Sequence, residues 1–174
     1  MYSTTSGLVL AFHGNDKIII DEAIQSPARK LRDSNNAYDW LGSGLYFWEN
    51  DPQRALEWAI ERRDNPLRRS SHRIETPATI GAVLDLGYCF DLLRRENIVM
   101  LKDFYDFLEK TVGAETLPRN KKLRGSGEAL LRDLDCYIIN EYHRFRESEG
   151  LRGFDSVRGA FWEGEELYPE AGFK

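Results

Sequence analysis

A chain of 174 residues with 41% apolar and 12% aromatic positions is long enough to bury one substantial core. Its formal net charge of −5 argues against bulk affinity for polyanions, and no apolar run approaches the ~20 residues of a membrane-spanning helix. Cys89 and Cys136 stand far apart in apolar company, which predicts buried, reduced thiols in a cytoplasmic protein rather than a disulfide framework.

The N-terminal stretch lacks a basic region, and its apolar run from Leu8 to Phe12 is too short for a secretory signal. Gly7 to His13 alternates as a strand, with Leu8, Leu10 and Phe12 on one face and Val9, Ala11 and His13 on the other. Asp16 is placed to cap a short helix over Lys17 to Gln25, which Ser26-Pro27 closes. Residues 26–40 are polar and predict a loop. Gly44 to Trp48 reads as a second strand, with Tyr46 and Trp48 on one face and Leu45 and Phe47 on the other.

Asp51-Pro52 joins a side-chain cap to a first-turn proline and opens a helix bearing Ala55, Trp58 and Ala59 in one stripe. That helix ends before Asp64-Asn65-Pro66, and the basic segment to Ser71 predicts an exposed loop. Thr79 to Leu86 is a third strand. Asn97 is expected to cap a helix whose apolar face is Ile98, Leu101, Tyr105, Leu108 and Val112. A loop over 113–127 hinges at Gly125-Ser126-Gly127, and a long helix starts near Glu128 with Leu131, Leu134, Ile138, Tyr142 and Phe145 at near-heptad spacing. Val157 to Trp162 is the last strand. Strands separated by helices and long loops predict one mixed α+β domain over residues 1–174.

Two short motifs carry chemistry. In Phe12-His13-Gly14, the imidazole suits a ribose hydroxyl, and a bare glycine lets a flat carboxamide reach the backbone N–H and C=O. The competing reading of His13 is a strand-end histidine bonded to a nearby loop. In Trp40-Leu41-Gly42-Ser43-Gly44-Leu45-Tyr46-Phe47-Trp48-Glu49, a Gly-x-Gly bend precedes three aromatic rings, more than one core face needs. A ring facing a pocket stacks on a cationic nicotinamide, where π contact and cation attraction each add roughly 1 kcal/mol; the competing reading of Tyr46 is ordinary core. Jointly the motifs suggest a site for the nicotinamide end of NAD.

Phe12-His13-Gly14 and Gly42-Ser43-Gly44-Leu45-Tyr46-Phe47 resemble the first two motifs of the histidine–tyrosine–glutamate class of ADP-ribosyltransferases, which includes diphtheria toxin and the poly-ADP-ribose polymerases. The longer stretch from Tyr38 to Glu49, with Val83-Leu84-Asp85-Leu86-Gly87, is similar to small bacterial proteins related to that class. The resemblance implies a split, mostly antiparallel sheet with flanking helices and NAD as substrate. It implies that His13 holds the nicotinamide-side ribose, Gly14 binds the carboxamide and Tyr46 stacks on the ring, with Gly44 and Phe47 completing the site. It also implies transfer of ADP-ribose to a nucleic acid or protein, in a toxin or phage-defence effector with a possible antitoxin partner.

The third element of that class is a glutamate or glutamine on a late strand. Related sequences continue beyond the Leu167-Tyr168-Pro169 segment into a further strand that carries it, whereas this chain ends at Lys174. Either the sequence stops short, or the role falls within Phe161 to Glu166, where Glu163 is best placed; the competing reading of Glu163 is a solvated acidic turn. The element matters because His13 and Tyr46 bind and orient NAD, but neither supplies an anion for the oxocarbenium-like sugar.

The remaining patterns are weaker. Arg62, Arg63, Arg68, Arg69 and Arg73 cluster, as do Arg119, Lys121, Lys122 and Arg124; each cluster reads as a solvated loop or as a phosphate contact. His13, His72, His143, Cys89 and Cys136 show no metal-ligand spacing. Asp135 and His143 lie two helical turns apart with no serine nucleophile motif. An NAD glycohydrolase and an inactive NAD-binding module remain as alternatives. An RNA 2′-phosphotransferase ranks below both, because it requires a further histidine and arginine set.

Overall fold

β1 (Leu8–Asp16) is the centre of the fold in a computed structural model that describes residues 8–26, 31–66, 73–121 and 131–161. It is flanked by β2 (Trp48–Glu49) and β3 (Pro77–Asp85) in a three-stranded antiparallel sheet of order β2-β1-β3. The β1–β3 register runs unbroken from Leu8 opposite Asp85 to Asp16 opposite Pro77, so β1 extends three residues past the expected His13 end. β2 is shorter than expected: it pairs only at Ala11–Glu49 and Phe12–Trp48, because the residues before Trp48 are folded into a tight loop.

Asp16 ends β1 and starts α1 (Lys17–Gln25): its Oδ1 accepts from the Ile18 N–H at 2.9 Å. Its Oδ2 accepts from the N–H groups of Glu75 and Thr76 at 2.7 and 3.0 Å, so one buried carboxylate also anchors the approach to β3. α2 (Pro52–Asp64) begins as its sequence dictates, with the Asp51 carboxylate accepting from Arg54 N–H at 2.8 Å and Pro52 in the first turn. Ala55 and Ala59 are fully buried against β1, and a Cβ built on Gly14 would drive into the Ala55 carbonyl. Small residues on both sides bring helix and strand backbones into direct contact. That contact covers only one end of the sheet, and Leu8, Leu10 and Val83 remain 71%, 46% and 64% exposed.

β4 (Cys89–Asp91) and β5 (Ser156–Arg158) form a separate two-stranded sheet whose strands are parallel. Against it pack α3 (Arg95–Val112) and α4 (Asp133–Ser148), enclosing a core of Phe90, Phe104, Leu108, Ile138 and Tyr142. The expected α3 face holds at its centre, with Leu108 buried and Leu101 and Tyr105 packed against the core, and Phe104 joins it; Ile98 and Val112 at its ends are 52% and 41% exposed. The core meets the middle of the helix, centred on the Phe104 ring, and leaves both ends outside. Asn97 is not the cap. The cap position is Arg94, three residues earlier, and the Asn97 amide donates to the Asp91 carbonyl at 2.8 Å, stitching the helix to β4.

α4 starts at Asp133 rather than near Glu128, and Leu131 forms an antiparallel bridge with Lys121. β5 ends at Arg158, short of the expected Trp162. The Gly125-Ser126-Gly127 segment and Trp162 lie outside the described residues. The overall class is mixed α+β, with an antiparallel sheet flanked by helices and a small parallel sheet beside it. No described helix is long and apolar enough to cross a membrane. Cys89 and Cys136 are buried and unpaired.

Candidate functional site

β1 and β2 part after Phe12, and the sequence-predicted residues gather where they separate. Backbone groups of successive strand residues point to alternate sides. Lys17 N–H donates to Thr76 C=O at 2.8 Å on the β3 side, and Asn50 N–H donates to Leu10 C=O at 2.9 Å on the β2 side. By that parity Gly14 directs its N–H and C=O toward β2, and a continued ladder would pair them with Tyr46. Instead Tyr46 turns its carbonyl to the His13 ring, with Nδ1 to O at 2.8 Å. Among the described residues no backbone bond joins Gly14 to Tyr46.

His13 is 7% exposed, and its ring centroid lies 5.7 Å from that of Phe47. Burial pulls its pKa below the ordinary value, against the raising effect of the Tyr46 carbonyl bond. The imidazole is therefore neutral near pH 7. Gly14 is also buried, and its missing side chain serves a purpose that the sequence does not announce. The open space is filled by α2, on the face opposite His13, while the backbone polar groups remain directed into the gap.

The Tyr46 hydroxyl is clamped within its own loop. It accepts from Leu41 N–H at 2.8 Å and donates to Gly42 C=O at 2.6 Å. Burial raises its pKa well above the usual tyrosine range, so it stays a protonated donor. Gly42 turns the chain at φ +82°, and a Cβ there would lie 2.7 Å from Asn140 Oδ1, the atom that accepts from Ser43 N–H at 2.9 Å. Asp39 holds the other end of the loop, accepting from Ser34 Oγ at 2.9 Å and Asn36 N–H at 3.0 Å. Its burial raises its pKa, and those bonds and Arg62 act in the opposite direction.

The structure thus brings His13, Gly14, Tyr46 and Phe47 together. Gly44 stands off, exchanging backbone bonds with Ser34 at 2.8 and 2.9 Å. Glu163 lies outside the described residues, as do Arg68 and Arg69. Of the first arginine cluster, Arg62 lies over the Trp58 ring at 5.4 Å.

Three further residues shape the site. Asn15 donates to His13 Nε2 at 3.2 Å and shares its strand face, a period-two relation readable in the sequence. Asn140 pins the Gly42–Ser43 turn from 97 residues away, and nothing local signals it. Glu49, opposite Ala11, lies on the His13 face of the sheet. Arg158 Nε and Nη2 donate to its carboxylate at 2.7 and 2.9 Å, while Nη1 reaches Asp91 at 3.4 Å. This bidentate pair ties the two sheets together.

A cavity of about 360 Å³ lies elsewhere, between α3 and α4, lined by Trp40, Leu92, Ile98, Leu101, Tyr105 and Phe161 among others. Among the described residues, none of the predicted site residues lines it. No group of three or more His, Cys, Asp or Glu side chains suited to a metal ion occurs among the described residues.

Over 150 residues the chain is 26% identical to an uncharacterized protein of Methanocaldococcus jannaschii, an alignment spanning 86% of this chain and 63% of that protein. The chain thus covers less than two thirds of the length of the curated relative it matches. No protein-family model matches the chain, and no solved structure gives a significant match.

Proposed function

We propose that this chain is an NAD-dependent ADP-ribosyltransferase that moves ADP-ribose to a macromolecular acceptor and releases nicotinamide. One observation carries the proposal: His13 and Gly14 sit where β1 and β2 part, beside Tyr46 and Phe47, with the Gly14 N–H and C=O directed into the gap. A carboxamide is the complement of such a backbone pair, since it offers one donor and one acceptor in a plane. In this reading the Tyr46 ring stacks on nicotinamide, the Phe47 ring flanks it, and the two sheets are the halves of the split sheet. Breaking the bond to ribose needs little acid help, because nicotinamide leaves a cationic centre as a neutral molecule. It needs an oriented sugar and an anionic group near it. Glu163 remains the proposed source of that anion.

The buried, unpaired thiols fit a reducing compartment, so the proposal places the enzyme in the cytoplasm, as a toxin or defence effector held in check by an antitoxin. Release of nicotinamide from labelled NAD tests it, using purified chain, bacterial lysate as acceptor and His13→Ala as control. Release with label on nuclease-sensitive or protease-sensitive material is the expected result and names the acceptor class. Release without labelling would favour a glycohydrolase, and no release despite NAD binding in calorimetry would leave a binding module.

A further inference from the structure

Asn15 follows Gly14 on β1, and its amide orientation is set by its own backbone neighbour. The side-chain Oδ1 accepts from the Asp16 N–H at 2.7 Å, so the NH2 group faces the other way, toward His13, with Nδ2 and Nε2 3.2 Å apart. Across the ring, Nδ1 lies 2.8 Å from the Tyr46 carbonyl, a group that only accepts. These contacts admit one arrangement: Nδ1 carries the proton, and Nε2 presents its lone pair to the Asn15 amide. The reverse tautomer would set donor against donor at Nε2 and lone pair against lone pair at Nδ1.

We infer that Asn15 is a positioning residue that locks His13 in the neutral Nδ1–H form, making the site selective for a ligand group that donates, a sugar hydroxyl, over one that only accepts, such as a fully ionised phosphodiester. An entering hydroxyl replaces the amide on Nε2 and offers its own oxygen to the released N–H of Asn15. A fully ionised anion can accept from the released Asn15 N–H but offers no proton to the Nε2 lone pair, so it makes one of the two bonds that a hydroxyl makes. The 7% exposure of His13 reinforces the lock, because a desolvated ring resists a second proton. Only the identity of the hydroxyl, as the nicotinamide-side ribose, rests on the proposed function.

Long-range ¹H–¹⁵N correlation of the whole chain, labelled at histidine and assigned with His13→Gln, reads the ring nitrogens directly. The wild type is expected to show a protonated Nδ1 and a free Nε2 at pH 7.5; an Nε2–H tautomer would overturn the inference. Asn15→Asp replaces the donor by an acceptor and is expected to protonate Nε2, with folding checked by near-UV circular dichroism. A folded variant with wild-type nitrogen shifts would also overturn it. Ribose is expected to perturb Nε2 and sulfate, which carries no proton at pH 7.5, is not; a response to sulfate, or none to ribose, overturns the selectivity. Failure of NAD to bind in calorimetry while ribose still perturbs Nε2 would count against the proposed function and leave this inference standing.

Discussion

The two halves of this molecule are held together by different physics. Around β1 the buried groups include His13, Asp16 and Asp39, and contact is closed by glycine and alanine. Around β4 and β5 the centre is aromatic: the Phe90 ring stacks on Phe154 at 4.7 Å, and Phe104 meets Tyr142 at 4.9 Å. Of the two buried charged residues there among the described residues, Arg146 lies 4.4 Å over the Phe154 ring and donates to the Arg152 carbonyl, and Asp91 accepts from Leu93 N–H at 3.0 Å. Burial of rings is non-directional and stabilises without dictating an atom's place. Directed bonds to buried polar groups set positions within tenths of an ångström, at the risk of large penalties when one partner is lost. The half that carries the candidate site is the one built from directed bonds.

The largest expected effect lies in the aromatic half. Phe90→Ala should destabilise by roughly 3–5 kcal/mol, because the side chain is fully buried. Denaturant unfolding checks this, and a loss under 1 kcal/mol would show that this core is not what holds the half together. Gly14→Ala should come next, at roughly 1–3 kcal/mol from forcing α2 off β1. A variant as stable as the wild type would mean that the helix-to-strand contact is looser than described.

Tyr46→Phe sharpens the contrast between position and stability. It leaves Leu41 N–H and Gly42 C=O without their partner and should cost about 1–2 kcal/mol. The ring remains, so nicotinamide release should survive in part, whereas Tyr46→Ala should abolish it in a folded protein. Equal turnover in Tyr46→Ala and wild type would remove the stacking role.

The smallest effect is a pH dependence. The folded pKa of His13 is depressed, so below the unfolded value of ~6.5 the unfolded chain binds the proton more readily. The contribution is therefore complete above that value and is lost as pH falls through it toward the folded pKa. Stability of the wild type should decline between pH 7 and 5 more steeply than that of His13→Gln. Parallel profiles would mean that the ring titrates normally in the fold.

The sequence by itself determined the features whose causes are local. Asp16 before Lys17-Ile18, and Asp51 before Pro52, name their helices because a cap needs only a side chain two or three residues from its partner. The alternation of β1 was legible for the same reason, whereas the grouping of His13 and Gly14 with Tyr46 and Phe47, 33 residues on, was expected from the two motifs taken together and their resemblance to a known family. Only the tertiary structure decided the rest. β2 stops at Trp48 because the Tyr46 carbonyl is drawn to His13, and the buried face of α3 gains Phe104 and loses Ile98 and Val112 because the aromatic core meets the middle of that helix. The pairing of Glu49 with Arg158 spans 109 residues, and Asn140 reaches Ser43 across 97. No local pattern encodes such bonds, because each forms only once burial has brought separate elements to one place.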